Sequence, residues 1–386
     1  IGAGLAGCSA TWSLARQGWR VTLLDAAEGP AQGASGNPGG LFHSIVHAED
    51  GLHARAHRSA ALATWARVHE ALARGDLPGQ GLGLLRLDDR QDEAGAQALL
   101  ARQPWLAQQA RWLDQAQAQA LSGVSVPSGG WHFLQAGWLQ PGAYARSLLS
   151  QAQAWAGPAV QTRWSCAVAR IHRDEARGLW QALDAQGQPL AEAPSLVLAN
   201  AWQAQALLDT LPSEQATTAL PISAVRGQIT VLPPAPASGT PSRVALPRLP
   251  VAGSGYVLSL PDGRLLCGAT TQHHDDVTEL RAADHAVAGS FGALGLAVAA
   301  APAWVPVAAD VLGRLYPDGE SPAAAESPAP DAEPRDDDAA RDVDPAVLPE
   351  DARARVDAVA LQHPERVAVH APLEPLLGGD LRLALR

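Results

Sequence analysis

The chain has 386 residues, a net charge of −11, 47% hydrophobic residues and three cysteines. That length suits two or three domains of about 100–200 residues each, and the apolar fraction excludes wholesale disorder. There is no uncharged run of about 18 apolar residues to span a membrane. Cys8, Cys166 and Cys267 form no CxxC pair, which excludes a disulfide scaffold and a thiolate zinc site and fits a reducing, cytoplasmic compartment.

The chain opens at Ile1 without an initiator, and it contains neither methionine nor lysine. The composition resembles the codon bias of a GC-rich gene, with loss of Met in processing as the alternative, and the start at Ile1 is expected of a fragment. Residues 5–17 suit a helix: Ala and Leu recur, Pro is absent, and Gly18 stands at the C-terminal stop. Val21–Leu24 is a short apolar β run ending at Asp25. Residues 51–76 predict a long Ala-rich helix, and 92–120 predict helix with a break near Pro104. Residues 124–140 carry turn residues and aromatics. Pro141 suits the first position of a helix that ends at Gly157-Pro158. Strands are predicted at Ala159–Thr162, Cys166–His172 and Leu179–Asp184 and, after a turn at 186–189, at Ser195–Ala199. Residues 220–233 and 255–271 also read as strands, the latter pair joined by Pro261-Asp262-Gly263. This order predicts an α/β domain interleaved with a mixed-sheet domain. Residues 318–351 hold twelve acids against two arginines and almost no large apolar residue, so disorder is predicted there. The rest of the chain, with 26 arginines and 27 acids, is nearly neutral, and overall acidity is no argument against an anionic ligand.

The chemistry-bearing motif is Gly2-x-Gly4-x-x-Gly7 at a helix start, with Asp25 after the following strand. Gly2 allows the tight turn, Gly4 lets a pyrophosphate approach the backbone, and Gly7 lets the helix pack on the sheet. The first-turn amides, including those of Leu5 and Ala6, offer donors and a positive dipole end to phosphate. Asp25 is placed to accept a ribose diol. Dinucleotide binding is therefore predicted, with a Gly-rich turn of some other α/β protein as the alternative. Gly33-Ala34-Ser35-Gly36-Asn37-Pro38-Gly39-Gly40 is a second Gly-rich stretch. A simple NAD fold has little need of it, whereas a more extended cofactor such as FAD does.

With these motifs, the sequence resembles the amino-acid-oxidase and glycine-oxidase superfamily of flavoenzymes. Further matching segments are 195–200, Val225-Arg226-Gly227-Gln228, Gly255-Tyr256-Val257 and 262–270. Within it, residues 31–37 and Gly129-Gly130-Trp131 through Gly137-Trp138-Leu139-Gln140-Pro141 are most similar to one branch. That branch is the FAD-dependent half of the bifunctional enzymes of tRNA 5-methylaminomethyl-2-thiouridine biosynthesis. The resemblance covers about residues 1–275. It implies an α/β fold in which a Rossmann-like FAD-binding domain (1–50 and 157–215) is interleaved with a mixed-sheet α+β substrate domain (51–156 and 216–310). It implies FAD as cofactor, tRNA as substrate, a fused or separate methyltransferase domain as partner, and neither membrane nor metal. The implied reaction removes a carboxymethyl group from a secondary amine on the wobble uridine through hydride transfer to flavin and imine hydrolysis. A free glycine- or sarcosine-type oxidase and a catalytically impaired FAD-binding protein are the alternatives.

Residue by residue, the resemblance assigns Gly2, Gly4, Leu5, Ala6 and Gly7 to the pyrophosphate and Asp25 to the adenosine ribose. Ser35, Gly36 and Asn37 fall along the pyrophosphate or near the flavin, Val168 beside adenine through its backbone, and Ala199 close to the cofactor. Tyr256 is the leading substrate-facing residue, against a sheet tyrosine with its hydroxyl in water. Arg314 is a candidate for the arginine that holds the substrate carboxylate. Arg226 reads either as an anion grip or as a solvated strand arginine. After about residue 285 the pattern departs: no late Gly-Ser-x-Gly segment follows, and Gly378-Gly379-Asp380 is a poor substitute. A reading-frame shift, an insertion or a decayed paralogue would account for this, and 352–386 is left unassigned. His43 and His47, and His53 and His57, stand at helical metal spacing but lack a paired carboxylate. Most of the tryptophans read as core, with Trp131 and Trp138 the candidates for base stacking.

Overall fold

The computed structural model describes residues 1–212, 220–232, 246–281 and 284. Arg314, the acidic segment 318–351 and the pattern break after 285 lie outside the described residues, as does the unassigned 352–386.

The first helix, α1 (Leu5–Arg16), buries Gly7, Cys8, Thr11 and Ala15 along one stripe, as the helical repeat requires. Gly18 ends it with φ +82, a left-handed conformation that costs glycine little. The strand β1 (Val21–Leu24) and the short β2 (Gly40–Phe42) follow. Next come the long helix α2 (Leu52–Arg74), β3 (Gly79–Gln80) and β4 (Leu84–Leu87). The middle of the chain holds α3 (Glu93–Arg102), β5 (Ala110–Leu113), α4 (Gln115–Ser122), β6 (Gly130–Phe133) and β7 (Gly137–Leu139). Pro141 opens α5 (Pro141–Ala156), and β8 (Val160–Arg163) follows. A meander of β9 (Arg170–Asp174), β10 (Leu179–Leu183) and β11 (Pro189–Ala193) leads to α6 (Ala204–Leu208). The last strands are β12 (Val225–Arg226), β13 (Thr230–Leu232), β14 (Val251–Ala252), β15 (Tyr256–Ser259), β16 (Leu265–Gly268) and β17 (Gln272–His273).

β1 and β8 pair in parallel from Val21↔Val160 to Leu24↔Arg163. On the other side of β1, the Gly2 N–H donates to Leu24 O at 2.8 Å, and the Ala199 N–H donates to Ile1 O at 2.7 Å. Residues 1–2 therefore lie between β1 and the 197–199 segment. Helix α5 covers this unit: Ala145, Leu148, Leu149 and Ala152 meet Ala3, Cys8, Ala15 and Leu23 in one buried cluster. Small residues on both helices let the backbones approach.

A seven-stranded mixed sheet in the order β13-β16-β15-β14-β4-β6-β5 forms the second body of structure. Only β14 and β4 run parallel within it. Both faces are covered. One packs Leu85, Val251, Val257, Leu265 and Cys267 against Ala118, Val124 and Val126. The other packs Leu84, Trp131 and Phe133 against Ala96, Leu99 and Leu106, and Leu258 and Leu266 against Trp138. Double coverage explains why β16 reads as a continuous apolar run rather than an alternating one, while β4 breaks its run at the exposed Arg86.

Three expectations are corrected. Residues 110–113 form a strand inside the predicted 92–120 helix, because Ala110–Leu113 pairs antiparallel with Phe133–Gly130; sheet pairing overrides helix propensity here. The strand after the 186–189 turn is β11, paired with β10, rather than Ser195–Ala199, which among the described residues bonds through Val197 and Ala199 to Ile1. Trp131 and Trp138 are core residues, 2% and 3% exposed, and offer no face to a base.

Leu266, fully buried between β15 and β13, carries a direct test. Leu266→Ala is expected to lower unfolding free energy by about 2–5 kcal/mol, read by urea denaturation; a loss under about 1 kcal/mol would contradict its burial.

Candidate cofactor and substrate site

The glycine turn is built by close approach. Gly2 adopts φ +96, and a Cβ placed there would lie 2.6 Å from Ala199 O. A Cβ on Gly7 would lie 1.8 Å from Gly2 O, so α1 can start against the turn only through a glycine. Gly4 gives the helix no side-chain cap. The Leu5 N–H donates to Ser35 Oγ at 3.0 Å, which brings the second Gly-rich stretch to the helix start. The other first-turn amides, including that of Ala6, keep the unmet donor capacity of a helix N-terminus.

Asp25 sits within this turn. Its Oδ2 accepts from the Ala3 N–H at 2.6 Å and its Oδ1 from the Ala27 N–H at 2.8 Å. Each oxygen retains lone-pair capacity for a hydroxyl donor. Beside Gly2, the buried Asn200 Oδ1 has no partner. An orphaned buried acceptor of this kind calls for a donor. Asn200 was visible in the sequence only as the end of a matching segment; its acceptor role is a tertiary fact.

The second stretch forms a 3₁₀ turn at Ala34–Gly36, closed by the Gly36 N–H to Gly33 O bond at 2.8 Å, with Asn37 exposed behind it. It then runs into β2, which pairs with β7. Tyr256 meets it from the large sheet: its hydroxyl donates to Gly39 O at 3.2 Å. The hydroxyl is therefore not free in water. Burial, with a smaller contribution from Cys267, pushes the Tyr256 phenol up to about 12, so it is a neutral donor at physiological pH.

Val168 packs its half-buried side chain against the cluster of Ile171, Leu207 and Leu211 below the β9–β11 meander. Ala199 touches the glycine turn directly, its Cβ 3.5 Å from the position a Gly7 Cβ would take. Arg226 is neither an open anion grip nor a solvated arginine. It is buried, ion-paired with Asp284, and bonded to Gln228 Oε1 at 2.8 Å and Gln272 Oε1 at 3.1 Å. Among the described residues no group of three or more His, Cys, Asp or Glu side chains is placed to hold a metal ion.

Comparison with known proteins matches residues 1–332 to the FAD dependent oxidoreductase family. The chain is 47% identical over 285 residues to the tRNA 5-methylaminomethyl-2-thiouridine biosynthesis bifunctional protein of Methylibium petroleiphilum, covering 74% of this chain and 42% of that protein. A protein of the same name from Paraburkholderia phytofirmans is 36% identical over 293 residues, covering 74% and 41%. The chain thus spans about two fifths of the length of these curated relatives. Its fold is similar to that of glycine oxidase from Geobacillus kaustophilus, with a TM-score of 0.59 and 19% identity over 76% of each chain. It is also similar to FAD-bound L-alpha-glycerophosphate oxidase from Mycoplasma pneumoniae, with a TM-score of 0.56 and 18% identity over 75% of this chain and 76% of that one.

The residues present fit FAD. The glycine turn brings the α1 start and its first-turn amides, suited to a pyrophosphate, beside Asp25, whose carboxylate suits sugar hydroxyls, and Asn200, whose buried acceptor is orphaned.

Two outcomes are expected here. Gly7→Ala forces a clash with Gly2 O and should weaken FAD binding more than about tenfold, seen as purified protein lacking visible flavin absorbance; a fully yellow variant would contradict the turn. The folded Tyr256 pKa of about 12 lies above its ordinary 10.0. The stability it contributes is therefore complete below pH 10 and is lost as pH rises through about 12. Unfolding free energies of wild type and Tyr256→Phe should converge over that window; parallel curves would contradict it.

Proposed function

The chain belongs to the FAD dependent oxidoreductase family, and from that premise we propose that it oxidises a secondary amine on the wobble uridine of tRNA. Its substrate in this reading is the 5-carboxymethylaminomethyl group, which leaves as 5-aminomethyl. The observation that carries the tRNA reading is the 47% identity over 285 residues to a relative named for tRNA 5-methylaminomethyl-2-thiouridine biosynthesis.

When bound, FAD supplies a hydride acceptor at its flavin ring. The substrate C–H bond next to nitrogen breaks, and its electron pair leaves as hydride. The resulting imine takes up water and splits into glyoxylate and the aminomethyl nucleoside. The chain's own residues position and exclude. Gly2, Gly4, Leu5, Ala6 and Gly7 would hold the pyrophosphate by backbone approach, and Asp25 the adenosine ribose. Ser35, Gly36 and Asn37 would line the path toward the flavin, with Val168 and Ala199 flanking the adenosine end. Tyr256, neutral and anchored on Gly39 O, would form a wall of the substrate site. Arg314 would hold the substrate carboxylate. A neutral amine needs no strong general base. The freed amine would pass to a methyltransferase, fused or separate, and the work would take place in the cytoplasm. No described helix is long and apolar enough to cross a membrane.

The test incubates the FAD-loaded chain with tRNA carrying the carboxymethylaminomethyl group and digests it for mass spectrometry. The expected result is conversion to the aminomethyl nucleoside with one equivalent of glyoxylate. Oxidation of glycine or sarcosine with the tRNA untouched would overturn this in favour of a free amino-acid oxidase. A flavin-loaded chain that oxidises neither would point to an impaired FAD-binding protein.

A further inference from the structure

Arg86 on β4 belongs to a row of directly paired residues crossing the large sheet: Trp112, Trp131, Arg86, Ala252, Tyr256 and Gly268. Paired residues on neighbouring strands share a face. Arg86 therefore stands on the Tyr256 face, two strand spacings or about 10 Å away. His43 closes over that face, its ring 5.5 Å from Phe133, which pairs with Leu84 beside Arg86. The His43 Nδ1–H donates to Ser44 O at 2.7 Å. Burial pushes the His43 pKa down, and the charges of Arg86 and His57 push it further against the raising effect of the Ser44 bond. His57 in turn lies against His53, ring centroids 4.5 Å apart.

Arg86, His43 and His57 thus interact through their charges, with no acid among the influences on His43. Arg86 is exposed, and its side chain has no hydrogen-bond or ion-pair partner among the described residues. The Asp50 carboxylate, close in the chain to His53 and His57, is held by Arg58 at 2.6 and 3.1 Å.

We propose that Arg86 is an anion-holding residue at the rim of the substrate site, taking a phosphodiester of the RNA chain next to the reacting uridine. This rests on the reading of the substrate as tRNA. The separation from Tyr256 exceeds the reach of one carboxymethyl group but suits the step from a uracil ring to its flanking backbone. Exposure suits a polymer that lies across the surface rather than a small acid enclosed within it. The planar guanidinium fork matches phosphate oxygens in pairs.

The test measures binding of a labelled anticodon stem-loop RNA to the FAD-loaded chain by fluorescence anisotropy across a salt series. Arg86→Gln should bind about tenfold more weakly at low salt, and its log–log salt slope should shrink by about 0.7, the value of one single-stranded phosphate. Arg86→Lys should retain the slope, because the charge is kept. In kinetics, the Arg86→Gln loss for RNA should exceed the loss for the phosphate-free modified nucleoside at least about fivefold. Unchanged RNA affinity and slope in Arg86→Gln would overturn the proposal. Equal losses for RNA and nucleoside would also overturn it and assign Arg86 to the carboxylate. If wild type oxidises neither substrate, the functional reading fails, while the salt slope still decides whether Arg86 meets phosphate.

Discussion

The hydrogen bond from the Ala3 amide to Asp25 Oδ2, at 2.6 Å, ties the glycine turn to the end of β1, and the rest of the cofactor side depends on it. It brings a carboxylate to the start of a helix whose amides want an anion. The turn is possible only because Gly7 carries no Cβ against Gly2 O. The Ala27 amide on Oδ1 holds the carboxylate from the far side, so its orientation does not depend on a ligand. Preorganisation of this kind lowers the ordering cost of binding.

The same logic joins the two parts of the molecule. Ser35 reaches back to the Leu5 amide, and Tyr256 reaches from the large sheet to Gly39 O. The Gly-rich stretch between the two is therefore pinned at one end to the α1 start and at the other to β15. A segment that reads as a loop is held as part of the wall between helix and sheet. The buried Arg226–Asp284 pair, with Gln228 and Gln272 around it, braces the strands beyond Gly268. Breaking such a pair leaves an uncompensated charge, which is why structure rather than ligand accounts for that arginine.

Arg58, on α2, is held by Asp50 and serves the structure. Arg86, on the sheet face shared with Tyr256, has imidazoles near it that burial holds neutral, and its guanidinium is left to meet an incoming anion.

The sequence by itself determined the glycine turn, its helix, the following strand and the acid, because these obey local rules: glycine where backbone approaches backbone, helix where Ala and Leu recur, carboxylate at a strand end. It also determined the Pro141 helix start and the 261–263 turn. It did not reveal the strand at 110–113, whose residues pass for helix until β6 lies beside them. Nor did it reveal β11, because a hairpin's second arm is chosen by its partner. The burial of Arg226, the orphaned acceptor of Asn200 and the placing of Arg86 in register with Tyr256 were decided only in three dimensions. Each depends on residues far apart in the chain meeting across a strand pair, and no local propensity carries that information.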